Sequence, residues 1–186
     1  MGIKSLTVVL GLPGSRISKV VSSHEKKGHV VLWPGQDITL KNGHYAYSQG
    51  ENPEVTRMHT TLLERHKKTW CDLSGLDYYE PPVPGPQDVL NMFDPDSKVI
   101  FGDYRFCLFF SLWQEFVTNI VVCEISVEAA YLATVRWHGR QHNADNHKKA
   151  MQFYSRKLEE IKNIAVGKTV TISYDSLQNA NFSLPL

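Results

Sequence analysis

The chain has few cysteines, no surplus of charge of either sign and no apolar run long enough to span a membrane. Its 186 residues include three cysteines, and 20 basic against 19 acidic residues give a formal net charge of +1. Three thiols without C-x-x-C spacing predict reduced cysteines rather than a disulfide framework. A near-neutral chain lacks the basic surface that nucleic-acid binding needs. These absences predict a cytoplasmic protein that binds neither nucleic acid nor a membrane.

The rest of the composition is typical of a globular protein. Hydrophobic residues make up 42% of the chain and aromatic residues 11%. A chain of this length fits one domain with a sizeable core, so we expect a single domain over residues 1–186. Four prolines between positions 81 and 86 predict extended backbone and no helix there. We interpret residues 72–97 as either a connector or a lid over a ligand.

Strand and helix patterns alternate along the chain. Apolar runs predict strands at 6–10, 29–33, 98–101, 119–124 and 169–174, and helices at 18–28, 53–67, 106–117, 127–138 and 145–164. Asp175 is expected to cap a further short helix. This alternation predicts a mainly parallel sheet that is covered by helices on both faces. Ligands of such sheets bind beyond the carboxyl ends of the strands.

The loop between the first strand and the first helix is the most informative segment. A glycine turn followed by a helix N-terminus aims backbone N–H groups and the positive end of the helix dipole at one point. Gly11 and Ser18 fit the ends of the phosphate-loop pattern G-x-x-x-x-G-K-[ST], but Arg16 replaces its second glycine and Ile17 its lysine. The alternative is the ordinary glycine turn of a parallel α/β protein. The predicted anion-binding residues are Pro13, Gly14, Ser15, Arg16, Ile17 and Ser18.

Two loop side chains have alternative roles. The Ser18 hydroxyl either caps the helix or donates to a bound phosphate. The Arg16 guanidinium either reaches over the loop to bind phosphate or sulfate, or points to solvent. Asp103 and Arg105 follow a predicted strand and either contact an acceptor and a sulfate, or form a structural ion pair at the start of the next helix.

A metal site is not expected. His138 and His142 have the i, i+4 spacing of helical ligands, and His147 follows nearby. Gly139 interrupts the helix between them, and no fourth ligand is evident. We interpret this segment as a solvated turn between two helices.

Four segments, in the same order along the chain, carry a family resemblance. Residues 8–18 are similar to the pattern G-x-P-[RKG]-S-G-T-[ST], and residues 50–70 hold an acidic segment followed by a helix. Residues 102–113 occupy the place of a Lys-Asp-Pro-Arg run before an apolar helix, and residues 171–177 match [IV]-x-Y-[ED]-x-L. In these segments the chain resembles the P-loop sulfotransferases.

The resemblance implies a P-loop-type three-layer α/β/α fold with a mainly parallel sheet. It also implies transfer of a sulfuryl group from 3′-phosphoadenosine 5′-phosphosulfate to a small-molecule or glycan acceptor. By the same resemblance His44 and Glu51 lie in the loop that carries acceptor-side groups, and either is a candidate general base. Asp103 and Arg105 stay candidates for contacts to the acceptor because they follow a strand.

The chain departs from this family at the position of the cofactor's 3′-phosphate. Glu124 stands where the family has an arginine, and Leu132 stands where it has a serine. A carboxylate there repels a 3′-phosphate. Two alternative functions therefore stay open: a binding or assembly protein without catalysis, and a small nucleotide or nucleoside kinase. The kinase needs a lysine at position 17, where this chain has Ile17.

Overall fold

The structure is a computed structural model that describes residues 3–25, 52–76, 85–138, 144–165 and 167–178. Its elements in chain order are β1 (Ser5–Gly11), α1 (Ile17–Glu25), α2 (Pro53–Arg65), α3 (Pro86–Leu90), β2 (Lys98–Gly102), α4 (Phe106–Trp113), β3 (Asn119–Glu124), α5 (Val127–His138), α6 (Ala144–Ile164), β4 (Thr169–Ser173) and α7 (Tyr174–Gln178). These strands form a sheet in the order β2-β1-β3-β4, and each neighbouring pair is parallel.

The central strand β1 has helices on both of its faces. Val8 and Leu10 belong to the larger apolar cluster, which packs against α2 and α4–α6. Val9 belongs to a second cluster, which includes Val20 and Val21 of α1 and Leu177 of α7. Successive side chains of a strand point to opposite faces, so the continuous apolar run of β1 fills both layers. The expected three-layer α/β/α fold with a parallel sheet is confirmed.

Helix α2 begins as its sequence predicts. The Asn52 side chain accepts hydrogen bonds from the backbone amides of Glu54 at 2.9 Å and Val55 at 3.1 Å. Pro53 occupies the first helical position, where its missing N–H removes no intrahelical hydrogen bond. These contacts fix the start of the helix. Its buried face carries His59.

Three predicted boundaries are wrong. The proline-rich segment was expected to exclude helix, but Pro86 begins α3, because proline is compatible with the first turn. Helix α4 ends at Trp113 rather than at 117 and is kinked at Phe109. Tyr174 begins α7 instead of ending a strand, so Asp175 lies in the first helical turn rather than before it.

Other predicted features lie outside the described residues: the strand at 29–33, the end of the first helix at Gly28, and the middle of the segment interpreted as a connector or lid, at 77–84. The division into one domain stays a prediction.

The loop after β1 packs closely against its neighbours. A Cβ atom on Gly11 would lie 2.4 Å from Ser15 Oγ and 2.5 Å from the Cys123 carbonyl oxygen. Gly14 has a φ of +86°, and a Cβ there would lie 2.9 Å from Ala133 Cβ on α5. The two glycines therefore let the loop lie against β3 and α5, which a larger residue would prevent.

We expect Gly14→Ala to destabilise the protein more than Gly167→Ala. Gly167 has nearly the same φ, +88°, but a Cβ there has no atom within 4 Å. Both variants carry the left-handed strain, and only Gly14→Ala adds the clash with Ala133, so its unfolding free energy should fall by a further ~1–3 kcal/mol. Urea denaturation measures both.

The variant Ala133→Gly provides the control for this clash. It should reduce the cost of Gly14→Ala in the double variant, because it removes the atom that the new methyl group meets. Equal costs for the two glycine variants would contradict close packing of the loop on α5.

Candidate anion-binding site

The carboxyl ends of β1 and β2 lie together, and residues just after β2 bond to the end of β1. The Asp103 amide donates to the Val9 carbonyl at 3.2 Å. The Cys107 thiol of α4 lies 3.6 Å from the Gly11 carbonyl oxygen, to which it donates. Burial raises the pKa of this thiol to about 12, so it keeps the proton that the contact uses. The end of β1 is thus held from the side of β2 and α4.

The loop between β1 and α1 is a tight turn that precedes a helix N-terminus. The Ser15 amide donates to the Leu12 carbonyl at 3.0 Å, and the Lys19 amide donates to Arg16 at 3.0 Å. Gly14 and Arg16 both have positive φ, at 86° and 64°. The amides of Ile17 and Ser18 belong to the first turn of α1, where the helix itself offers no carbonyl partner, and the helix dipole adds positive potential there. A phosphate or sulfate group is the ligand that such a turn favours.

Ser15 contributes a buried hydroxyl to this turn. Its side chain is 1% exposed, and its Oγ has no hydrogen-bond partner. A buried hydroxyl without a partner destabilises a protein by about 1–3 kcal/mol. A ligand oxygen at the loop would satisfy the Ser15 hydroxyl. Ser18, whose hydroxyl the sequence also predicts as a phosphate donor, is half-buried.

The structure changes the roles expected for three loop residues. Helix α1 begins at Ile17, so Ser18 lies inside the first turn and does not cap the helix. The Ile17 side chain is buried in the apolar cluster below α1, which leaves only its backbone for a ligand. The Arg16 guanidinium lies 5.4 Å from the centre of the Tyr174 ring, and thus on α7 rather than over the loop.

Of the remaining predicted loop residues, Pro13 is buried and Gly14 is exposed.

Asp103 and Arg105 form a buried ion pair within the protein. Arg105 Nε donates to Asp103 Oδ1 at 2.8 Å, and the Arg105 amide donates to the same oxygen at 2.8 Å. Arg105 Nη1 donates to Thr60 Oγ1 of α2 at 3.1 Å. The two charges neutralise each other at the start of α4, which is the geometry of a structural ion pair.

Sequence reasoning missed the third member of this network, His59 of α2. Its Nδ1 lies 2.9 Å from Asp103 Oδ2, and Trp113 Nε1 donates to its Nε2 at 3.0 Å. An indole N–H can only donate, so Nε2 accepts and Nδ1 carries the proton that is donated to Asp103. The position could have been found, because His59 lies on the same helical face as Val55 and Leu62.

The protonation states follow from the surroundings. Burial raises the pKa of Asp103, but the Arg105 charge and the contacts with His59 outweigh burial and bring it down to about 2. Burial lowers the pKa of His59 more than the Asp103 carboxylate raises it. At neutral pH the network is a carboxylate, a guanidinium and a neutral imidazole, all inside the protein. It positions the strand ends, and its imidazole is engaged on both nitrogens.

The two positions that depart from the sulfotransferase pattern at the 3′-phosphate, Glu124 and Leu132, lie at the end of β3 and on α5. The Glu124 carboxylate accepts a hydrogen bond from Lys162 Nζ of α6 at 2.8 Å, so its charge is partly compensated. Leu132 is 49% exposed. The α5 residues that approach Gly14 are instead Ala130, Ala133 and Thr134. Leu132 therefore does not occupy the face of α5 that meets the loop.

Some candidate residues from the sequence lie outside the part of the chain that the structure describes. His44, Glu51 and His142 lie outside the described residues, as does the side chain of His138. His147 is buried, and its Nε2 lies 2.7 Å from Thr134 Oγ1.

In the part of the chain that the structure describes, no group of three His, Cys, Asp or Glu side chains could hold a metal ion. No helix in those ranges has the length and apolarity to cross a bilayer.

Similarity to known proteins is found among solved structures. No protein-family model matches the chain, and no curated protein sequence matches it. Among solved structures, the chain is similar to deoxyadenosine kinase from M. mycoides with bound dATP, with 11% identity over 94% of this chain and 92% of that chain and a TM-score of 0.42.

We expect Asp103→Asn to destabilise the protein by ~3–5 kcal/mol, because it leaves the buried Arg105 charge without its counterion. The double variant Asp103→Asn with Arg105→Met should cost clearly less than the sum of the single variants, since it removes both charges. Urea denaturation of the four proteins checks this. Additive costs would mean that the two charges do not interact.

We expect stability to fall on acidification below about pH 6.5, the usual pKa of histidine, in a way that depends on His59. The lowered pKa in the folded state means that the unfolded chain binds the proton more tightly, so this stability is present above that pH and lost below it. The slope reaches at most about 1.4 kcal/mol per pH unit for one proton. Denaturation at about pH 8, 7, 6 and 5 should show a smaller slope for His59→Asn.

The control is His66→Asn at the end of α2, where the side chain is half-buried. It should keep the wild-type slope. An unchanged slope in His59→Asn would show that another group causes the acid sensitivity.

Proposed function

We propose that the chain binds the phosphosulfate end of an adenine nucleotide on the loop of residues 13–18 and transfers a sulfuryl group to an acceptor. The observation that carries the proposal is the buried, unpartnered Ser15 hydroxyl in the turn just before the N-terminus of α1. The order of the four sequence segments that resemble P-loop sulfotransferases supports the same function, with 3′-phosphoadenosine 5′-phosphosulfate as the donor.

The absence of a loop lysine favours sulfuryl over phosphoryl transfer. A phosphate-loop kinase uses a lysine to bind the β- and γ-phosphates, and its charge must face the ligand. Here that position holds Ile17, which is packed in the core. A sulfuryl group carries less charge than a terminal phosphate, so amides, a hydroxyl and the helix dipole suffice to orient it.

The proposed reaction is an in-line displacement. The acceptor oxygen attacks sulfur, the bond from sulfur to the phosphate oxygen breaks, and adenosine 3′,5′-bisphosphate leaves. The acceptor's proton passes to a base, for which His44 stays the candidate from the sequence. The loop amides and Ser15 stabilise the charge that develops on the leaving phosphate.

Two alternatives keep specific grounds. A binding or assembly protein is favoured by the use of Asp103, Arg105 and His59 inside the protein, since these charges and the imidazole are not presented to a substrate. A small nucleotide or nucleoside kinase shares the fold class, and Ile17 argues against it.

Calorimetry with adenosine 3′,5′-bisphosphate, adenosine 5′-monophosphate and magnesium ATP tests the proposal. We expect the first two to bind with affinities less than about tenfold apart, because a lost charge-assisted contact to the 3′-phosphate forfeits ~1.5–3 kcal/mol. Ser15→Ala should weaken both about fivefold without lowering stability, since it removes a hydroxyl that lacks a partner in the free protein.

Ser22→Ala is the matched control, a half-buried serine further along α1. It should leave binding unchanged. Tight binding of magnesium ATP alone would support the kinase. If none of the three nucleotides binds, the result would support a binding or assembly protein without catalytic activity.

A further inference from the structure

A groove lies between α4 and α6, apart from the residues assigned to the anion-binding loop. Its volume is about 250 Å³, and among the described residues those that line it come mainly from these two helices and not from residues 13–18. An apolar cavity of about 150 Å³ holds benzene, so this groove has room for a ligand of roughly ten non-hydrogen atoms.

The walls of the groove are largely apolar. Six apolar side chains line it: Leu76, Leu108, Phe110, Phe153, Ile161 and Ile164. Phe110 and Ile161 are buried, Phe153 is half-buried, and Ile164 is 64% exposed. The groove therefore joins the core to exposed apolar surface, and a concave apolar surface of this kind favours a ligand with an apolar body.

Two cationic side chains meet at one wall of the groove. The Arg156 guanidinium carbon lies 4.9 Å from the centre of the Phe153 ring, and Lys157 Nζ lies 6.0 Å from it. Both side chains thus pack along the ring that also lines the groove, with their charged groups beside it.

The charges at the groove are complementary to an anion. Glu160 is the acidic residue among the described lining residues, and it accepts a hydrogen bond from Lys157 Nζ at 2.7 Å. Arg156 Nε lies 3.9 Å from Glu160 Oε1, which is longer than a hydrogen bond. Two cations beside one carboxylate leave a net positive charge, and the guanidinium geometry suits a second carboxylate.

We propose that the groove binds a small molecule with an apolar chain and one carboxylate, such as a medium-chain fatty acid. The chain lies along the apolar walls, and the carboxylate accepts hydrogen bonds from Arg156 and Lys157, where it competes with Glu160. Burial of the chain supplies most of the affinity, and the charge supplies the specificity. This ligand is independent of the proposed function, since it uses neither the loop nor a nucleotide.

An NMR titration with octanoate tests the proposal, with octanamide as the uncharged comparison and hexanoate as the shorter chain. We expect octanoate to bind about fivefold more tightly than octanamide, because an ion pair at an accessible site contributes modestly. It should bind about tenfold more tightly than hexanoate, because more of the chain is buried. Absence of octanoate binding, or equal binding of octanoate and either comparison molecule, would overturn the proposal.

Glu160→Gln tests the competition for the two cations. It removes the carboxylate that pairs with them, so octanoate binding should strengthen about threefold. The matched control is Glu159→Gln, the preceding residue of α6, which pairs with Lys162 and does not line the groove. It should leave binding unchanged. Weaker or unchanged binding in Glu160→Gln, or an equal gain in both variants, would contradict the proposed position of the carboxylate.

Arg156→Gln provides the opposite test. It should weaken octanoate binding about threefold and leave octanamide binding unchanged, because it removes one donor to the carboxylate. The control is Arg57→Gln on α2, since the Arg57 side chain is 65% exposed, as is that of Arg156, and also pairs with a glutamate of its own helix. Equal effects of the two variants on octanoate would overturn the assigned role of Arg156.

A competition experiment separates the groove from the loop. Octanoate should bind equally well with and without adenosine 3′,5′-bisphosphate, and displacement by the nucleotide would place octanoate at the loop and overturn its assignment to the groove. Because nucleotide calorimetry with Ser15→Ala reports on the loop and octanoate with Glu160→Gln reports on the groove, failure of one proposal is distinguishable from failure of the other.

Discussion

The buried carboxylate of Asp103 is the constraint on which the carboxyl edge of the sheet depends. Its two oxygens accept hydrogen bonds from Arg105 and from His59, and its backbone amide bonds to β1. Through these contacts one residue joins β2, β1, α2 and α4. A buried charge with fewer partners would be strongly destabilising, so the elements that supply the partners are held in one arrangement. The loop after β1 inherits its position from that arrangement.

The loop after β1 differs in its side chains from the phosphate loop of a kinase. Its positive potential comes from backbone amides and the helix dipole, while the charged side chain in it, Arg16, lies on the Tyr174 ring. Arg16 also adopts a positive φ where a glycine would be unstrained. The loop therefore lacks the lysine with which a phosphate-loop kinase binds a triphosphate, so the fold class alone does not fix the chemistry at this loop.

The strands and most helices could be predicted because their signals are local. The apolar run of β1, the glycine turn and the Asn52 cap each act within a few residues. The contacts of His59 could not, because Asp103 and Trp113 are 44 and 54 residues away in sequence. Periodicity placed His59 on the buried face of α2, but only the fold decides which polar atoms it meets. The sequence also left open whether the pair of Arg105 and Asp103 faces a ligand or the protein interior, because only the fold brings Thr60 to Arg105 and buries both charges.

The two unpartnered hydroxyls connect these observations. Ser15 Oγ lies against Gly11 at the end of β1, and the Tyr154 hydroxyl is buried on α6, where the Tyr154 ring contacts the Tyr104 ring at 5.6 Å. In the described core nearly all other polar side chains, including the whole Asp103 network, are satisfied within the protein. Unsatisfied groups cost free energy and are tolerated where a ligand completes them. Ser15 belongs to the turn just before α1, so a buried hydroxyl without a partner there favours a ligand oxygen at that turn.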